Sequence, residues 1–309
     1  MIIHEARQQL LFQLYHIYDN REAASIADLV MENITGWKKI DLIINKNVPL
    51  SLPQKELLKK YTGELLMRKP IQYVLHEAWF CGMKFFVDEN VLIPRPETEE
   101  LVEWIVEELK SNAQETRKRE QEKSDKALQN IAHLTSGILD VFEIGCGSGC
   151  IPISLKKKIS SANIFSCDVS EDALSVARKN AVINNVDVHF FQLDFLAENE
   201  RNKLQQFDII VSNPPYIPLH DKQTMHANVL NFEPHIALFV DDNNPLIFYN
   251  AIADFAINKL KIDGYVFAEI HENLAANVKE LFLNKGFKNV VIKKDMQGKD
   301  RMLKATMLL

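Results

Sequence analysis

From residue 138 onward, short apolar runs alternate with helix-like stretches, and this alternation constrains the fold more than any other feature. The runs cover 138–144, 163–168, 186–194, 207–212 and 265–270. Helical spacing follows the first run from about Ile151 and the second over 173–180. Strands separated by helices demand a parallel sheet covered on both faces, because each crossover lays a helix against the sheet. Two last runs, 289–294 and 303–308, have no helix-length segment between them, which predicts an antiparallel pair.

The first 75 residues read differently. Leu10, Leu11, Leu14, Tyr15 and Ile17 recur at helical spacing, residues 23–31 repeat the pattern, and Ser51-Leu-Pro-Gln-Lys-Glu reads as an N-cap with an early proline. No strong strand interrupts them, so a small helical bundle is expected. Phe80, Phe85, Phe86 and Val87 around Cys81-Gly82 predict a short hairpin. Pro94 and Pro96 then stop regular structure, and a helix starts near Glu99, with Thr98 or the acidic residues as its cap. Residues 111 to about 134 are mixed charges with almost no apolar content, which predicts a solvated helix extension or a loose loop. The expected organisation is a helical domain over 1–75, a hairpin and linking segment over 76–100, and a larger α/β domain over 101–309. A chain of 309 residues is long enough for two domains.

Composition removes several classes. Hydrophobic residues make up 47% and charged residues 25%, so the chain is neither disordered nor fibrous. A net charge of −6 argues against a surface devoted to nucleic acid. The four cysteines (Cys81, Cys146, Cys150, Cys167) form no CxxC pair and sit beside no histidine cluster, so free thiols are expected, with no metal and no disulfide framework. The N-terminus turns polar at once and no apolar run reaches about 18 residues, so neither a signal peptide nor a membrane span is expected. The expectation is a soluble, cytoplasmic protein.

Two motifs carry chemistry. The first predicted strand ends in Glu143-Ile-Gly145-Cys146-Gly147-Ser148-Gly149-Cys150. Glycines there permit a tight turn and close backbone approach to a ligand. A dinucleotide fingerprint needs GxGxxG, and this chain has GxGxG, which disfavours a nicotinamide-dependent oxidoreductase. Asp168 ends the second strand about 20 residues on, where a carboxylate accepts from both hydroxyls of a ribose. Asp194 and Phe195 close the third, where they suit an adenine amino group and ring face, although Phe195 also reads as ordinary core.

The fourth strand ends in Ser212-Asn213-Pro214-Pro215-Tyr216. Two consecutive prolines fix the chain and remove two N–H donors, leaving a stiff loop of acceptors. The Asn213 side-chain oxygen and the Pro214 carbonyl can each accept one N–H of an –NH2 group, and Tyr216 can stack on its flat face. Beside a nucleoside site, this points to methyl transfer from S-adenosylmethionine to a planar nitrogen. The nitrogen belongs to an amide or to a base such as adenine (N6) or guanine (N2). No nucleophile triad is needed.

Several segments in order carry a resemblance. They are Pro70-Ile-Gln-Tyr-Val-Leu, Phe80-Cys-Gly, Val91-Leu-Ile-Pro-Arg-Pro-Glu-Thr-Glu-Glu, the 143–149 loop, Asp168, Asp194-Phe195, Asn213-Pro-Pro-Tyr-Ile-Pro, Glu233-Pro, Glu269-Ile and Lys294-Asp-Met-Gln-Gly-Lys-Asp-Arg. The chain resembles the HemK/PrmC family, the peptide chain release factor N5-glutamine methyltransferases, over about residues 50–309. The resemblance implies an α/β, class I S-adenosylmethionine-dependent methyltransferase. Its Rossmann-like, seven-stranded, mostly parallel sheet would end in an antiparallel pair and follow a small N-terminal helical bundle. It implies cofactor binding by Gly145, Cys146, Gly147, Ser148, Gly149, Asp168, Phe195 and Asn213, beside the Asp194 read above from its place at the strand end. Substrate glutamine binding falls to Asn213, Pro214, Pro215 and Tyr216, and the catalytic positions are Asn213, Pro214 and Tyr216. The implied partner is a release factor, docked by the helical bundle, with no membrane and no sequence-specific nucleic acid; a ribosomal-protein glutamine is the family's other acceptor. His76 and His271 stand where the family commonly has glycine, and Phe195 where it often has tryptophan.

Overall fold

Alternate residues of a strand face opposite sides of a sheet, and the central strands here use that rule to build two cores. The computed structural model describes residues 1–122 and 138–307. Its strands are β1 (Ala78–Phe80), β2 (Met83–Phe85), β3 (Asp140–Ile144), β4 (Asn163–Asp168), β5 (His189–Gln192), β6 (Phe207–Ser212), β7 (Ile217–Pro218), β8 (Phe239–Val240), β9 (Leu260–Glu269), β10 (Lys288–Lys294) and β11 (Asp300–Thr306). Seven of them form one sheet in the order β10-β11-β9-β6-β3-β4-β5. The pairs from β9 through β5 are parallel, and β11 pairs antiparallel with both β9 and β10. This is the mostly parallel sheet with a terminal antiparallel pair that the sequence predicts.

On one face Phe142 and Ile210 pack with helices Ile247–Lys259 and Ala275–Asn284; Phe207, the first residue of β6, where pairing with β9 is irregular, departs from the alternation and joins this face, stacking on Phe142 at 4.8 Å. On the other, Val141, Ile209 and Val211 pack with the start of helix Pro96–Glu122 and with helix Cys150–Lys158. The chain leaves β3 toward β4 on one side and reaches β6 on the other. The carboxyl end of β3 is therefore the topological switch point, where ligands of such sheets bind.

Strand β9 begins at Leu260, earlier than the Tyr265 expected from hydrophobicity. Partners Phe207↔Leu260 and Ile209↔Tyr265 leave five steps on β9 against two on β6, a bulge that breaks the apolar pattern. Gly264 closes the bulge. A Cβ there would lie 2.8 Å from the Asp208 carbonyl oxygen and 2.9 Å from that of Lys261. Both obstacles are backbone, so Gly264→Ala is expected to cost about 2 kcal/mol, roughly 5 °C in Tm. An unchanged melting curve would refute this.

The hairpin β1–β2 turns through Cys81 (φ 48) and Gly82 (φ 72), two left-handed residues in succession. That is the turn whose twist matches paired strands. Helix Pro96–Glu122 runs into the charged stretch; the remainder of that stretch, 123–137, lies outside the described residues.

The chain divides into two units. One comprises Met1–Glu77 with Val87–Glu89 and Met225–Glu233, and the other holds the rest of the described chain, including the hairpin and the large sheet. In the first, helices Ile3–Leu14, Asn20–Thr35, Lys39–Ile44, Leu52–Leu66 and Ile71–Leu75 bury Leu10, Leu14, Val30 and Leu65 among one another. Asp19 accepts from the N–H groups of Arg21 and Glu22 and starts the second helix; Ser51 and Gln54 form a reciprocal capping box on the fourth. Among the described residues no helix is long and apolar enough to cross a membrane.

Candidate functional site

The carboxyl ends of β3, β4 and β6 open onto a cavity of about 340 Å³. Gly145, Gly147 and Gly149 all have left-handed φ, at 81°, 49° and 78°. The Gly145 and Cys146 N–H groups both donate to the Cys167 carbonyl at 2.9 Å, tying the loop to β4. A Cβ on Gly145 or Gly147 would meet open space, whereas one on Gly149 would crowd Ala177 at 3.1 Å. The first two glycines therefore leave room for a ligand, and the third lets helix Cys150–Lys158 pack.

Asp168 sits at the end of β4, and each of its oxygens takes one backbone N–H: Gly147 to Oδ2 at 2.9 Å and Ser170 to Oδ1 at 3.0 Å. Each keeps a further lone pair on a residue that lines the cavity. Asp168 is not the cap of the next helix; Ser170 is, accepting from the Ala173 N–H. Asp194 and Phe195 also line the cavity. Asp194 accepts from the Leu196 N–H, and Phe195 is only 5% exposed, edge-on to Phe255 at 5.4 Å with the Arg201 guanidinium over its ring. Phe195 is thus both core and wall.

In the sequence Glu143 stands only as the start of the glycine motif, yet its carboxyl is part of the cavity wall. It is buried, its Oε2 accepts the Ser166 hydroxyl at 2.5 Å, and its Oε1 has no hydrogen-bond partner among the described residues. Burial raises its pKa well above the ordinary carboxyl range, with Asp168 adding to the rise. An orphaned buried acceptor on a cavity wall fits a cationic or N–H-bearing ligand. A carboxyl whose folded pKa is raised destabilises the native state as pH climbs from its unfolded value through the folded one. Glu143→Gln is therefore expected to raise the Tm of the ligand-free protein across that window, with the gain vanishing in acid. A gain that is the same at all pH values would contradict this.

Strand β6 delivers the acceptor loop. Ser212 donates to the Ile144 carbonyl at 2.8 Å, which brings the loop against the glycine turn. Asn213, Pro214 and Pro215 line the cavity. Asn213 Nδ2 donates to Thr98 Oγ1 at 3.2 Å, Thr98 donates to Glu269 Oε2 at 2.7 Å, and Tyr216 donates to Glu269 Oε1 at 2.8 Å. Among the described residues no donor reaches Asn213 Oδ1. Of the predicted site residues, Gly149 and Tyr216 are not on the cavity wall; Gly149 is taken up by packing against Ala177. The Tyr216 ring stands beside His271, centroids 6.0 Å apart, and its hydroxyl is tied to Glu269. Burial and the Glu269 charge raise its phenol pKa far above normal.

Sequence reading did not single out Thr98 or Glu269 as site residues. Both are buried polar side chains, and Thr98 lies in the Ile-Pro-Arg-Pro-Glu-Thr segment, whose Pro94 and Arg95, with Leu92 just before it, also wall the cavity. The thiols offer no nucleophile: burial pushes Cys146, Cys150 and Cys167 strongly upward and Cys81 to about 11.

Comparison with known proteins gives the same direction. Residues 122–232 match the family described as Methyltransferase small domain, and residues 5–75 match the PrmC N-terminal domain. The release factor glutamine methyltransferase of Flavobacterium psychrophilum is 41% identical over 304 residues, covering 98% of this chain and 99% of that protein. That of Bacteroides thetaiotaomicron is 36% identical over 293 residues, covering 94% and 95%. Among solved structures, the hMettl16 catalytic domain, in complex with MAT2A 3'UTR hairpin 6, matches with a TM-score of 0.52 at 16% identity over 86% of each chain, a likeness of fold alone. With identity at this level over almost its whole length, the chain belongs to the release factor glutamine methyltransferase family.

Proposed function

We infer that this protein transfers a methyl group from S-adenosylmethionine to the side-chain amide nitrogen (N5) of the glutamine in the Gly-Gly-Gln loop of peptide chain release factors. The observation that carries this reading is the Asn213 side-chain oxygen, without a donor among the described residues, on the wall of a cavity that the glycine turn and the acidic end of β4 also line.

The residues present fit the cofactor: open space over Gly145 and Gly147, spare lone pairs on Asp168 and an orphaned Glu143 oxygen. Bound S-adenosylmethionine supplies a methyl on a cationic sulfur that departs as a neutral thioether. Asp168 accepts from the ribose hydroxyls, Asp194 from the adenine amino group, and Phe195 packs on the ring face. Gly145 to Gly149, with Cys146 and Ser148, form the backbone cradle. Glu143 Oε1 accepts from the ammonium end.

Asn213 Oδ1 and the Pro214 carbonyl each accept one N–H of the glutamine amide. Both bonds strengthen as positive charge grows on nitrogen, so they favour the transition state over the ground state. The new bond is N–C and the broken one S–C. The extra proton on nitrogen leaves to water, since an N-protonated amide is a strong acid and needs no buried base. Pro215 stiffens the loop, and Tyr216 anchors its far end.

Residues 1–75 are proposed to dock the release factor, with 76–100 as the linking segment and 101–309 carrying the chemistry. This places the enzyme in the cytoplasm, where release factors act. The net charge of −6 supports a protein acceptor over a nucleic acid. The test is methyl incorporation from labelled cofactor into purified release factor, DNA or RNA, followed by peptide mapping. One added methyl on the loop glutamine is expected; label only in nucleic acid overturns the reading.

A further inference from the structure

We propose that Thr98 and Glu269 form a positioning relay that fixes the Asn213 carboxamide with its oxygen toward the substrate; this rests on Asn213 being the amide acceptor. Oxygen and nitrogen of an Asn side chain are nearly isosteric, and only hydrogen bonding separates the two orientations. In one, Asn213 offers an acceptor to the glutamine –NH2. In the other it offers a second –NH2, and two donors face each other.

The relay decides between them by proton counting. Both oxygens of the buried Glu269 carboxylate accept: Oε2 from Thr98 at 2.7 Å and Oε1 from Tyr216 at 2.8 Å. The single hydroxyl proton of Thr98 is thereby used, and toward Asn213 it can only accept. Asn213 must therefore turn its nitrogen to Thr98, at 3.2 Å, and its oxygen away. Glu269 itself is held by its strand and by the Tyr249 hydroxyl on its main-chain carbonyl at 3.0 Å. A buried carboxylate is seldom the most stable choice for a core position. Burial raises the Glu269 pKa, while the hydrogen bonds from Thr98 and Tyr216 lower it and favour the charged form; in that form it has no proton to give, and the direction of the chain is set.

Glu269→Gln should reverse it. The arrangement that satisfies every group keeps Tyr216 donating to the new amide oxygen and has the new –NH2 donate to Thr98. Thr98 then donates to Asn213, and the Asn213 carboxamide flips. Thr98→Val removes the relay, and Thr98→Ser keeps it.

Four variants of the full chain test this. Thr98→Val and Glu269→Gln should each lower kcat about 30-fold, with the KM for release factor and the Kd for S-adenosylhomocysteine changed less than about threefold. Thr98→Ser should stay within about threefold of wild type. Adding Glu269→Gln to Thr98→Val should cost less than about threefold more, because Glu269 acts through Thr98. Near wild-type kcat in Thr98→Val, no rescue by serine, or a fully multiplicative double variant overturns the proposal. A readout without turnover is hydrogen exchange of the Asn213 side-chain –NH2 by NMR. Protection is expected in wild type and Thr98→Ser and its loss in Thr98→Val and Glu269→Gln; equal exchange in all four overturns the relay. If wild type methylates no release factor, the activity reading fails by itself, and the exchange data still decide the relay.

Discussion

Asn213→Ala is expected to lower kcat by about 100- to 1000-fold while binding of S-adenosylhomocysteine largely survives. A preorganised polar group aimed at developing charge is worth about 3–4 kcal/mol in a site shielded from water. Alanine removes that oxygen and leaves the Pro214 carbonyl as the remaining acceptor for the glutamine amide. It also leaves the Thr98 hydroxyl without the amide it receives in the native loop. The cofactor keeps Asp168, Glu143 and the glycine turn, so its affinity should fall far less than turnover. Single-turnover rates on a release factor, beside calorimetric titration with S-adenosylhomocysteine, separate the two quantities. A variant that turns over at close to the native rate would remove Asn213 from the chemistry.

Asp168→Ala should give the opposite split. Two charge-assisted hydrogen bonds to a ribose diol, discounted for the water they replace, come to about 3 kcal/mol in sum, or roughly 100-fold in Kd. The same carboxylate also receives the Gly147 and Ser170 N–H groups, so its loss loosens the glycine turn as well. The Kd for S-adenosylhomocysteine is expected to rise at least that far, with kcat at saturating cofactor falling much less. Asp168→Asn retains acceptor capacity on one side only and should fall between. If cofactor affinity were unchanged in the alanine variant, the nucleoside end of the cavity would have to be placed elsewhere.

The parts of this protein that could be read in the chain are those where one residue type has few alternatives. Glycine at 145, 147 and 149 announced a tight turn, and all three take up left-handed backbone to make it. Alternating apolar runs announced the strands, and the missing helix between the last two announced their antiparallel pairing. Phe195 illustrates the limit: a phenylalanine after a strand reads equally as core or as wall, and it is both. Tyr216 illustrates another, because adjacency to Asn213 and the prolines suggested a cavity position, while its hydroxyl is drawn to Glu269, 53 residues away.

The sequence by itself determined the strand–helix alternation, the glycine turn and the stiff Asn-Pro-Pro-Tyr loop, since these follow from local backbone preferences and spacing. Only the tertiary structure decided which way the Asn213 amide faces. That depends on Thr98, 115 residues upstream, and on the carboxylate of Glu269 behind it. Tertiary packing likewise created the orphaned oxygen of Glu143, because desolvation and partner count are properties of the folded interior. A hydrogen bond between distant segments leaves no period or spacing in the chain, and so the residues that aim the chemistry became visible only once β6, β9 and the helix beginning at Pro96 were brought together.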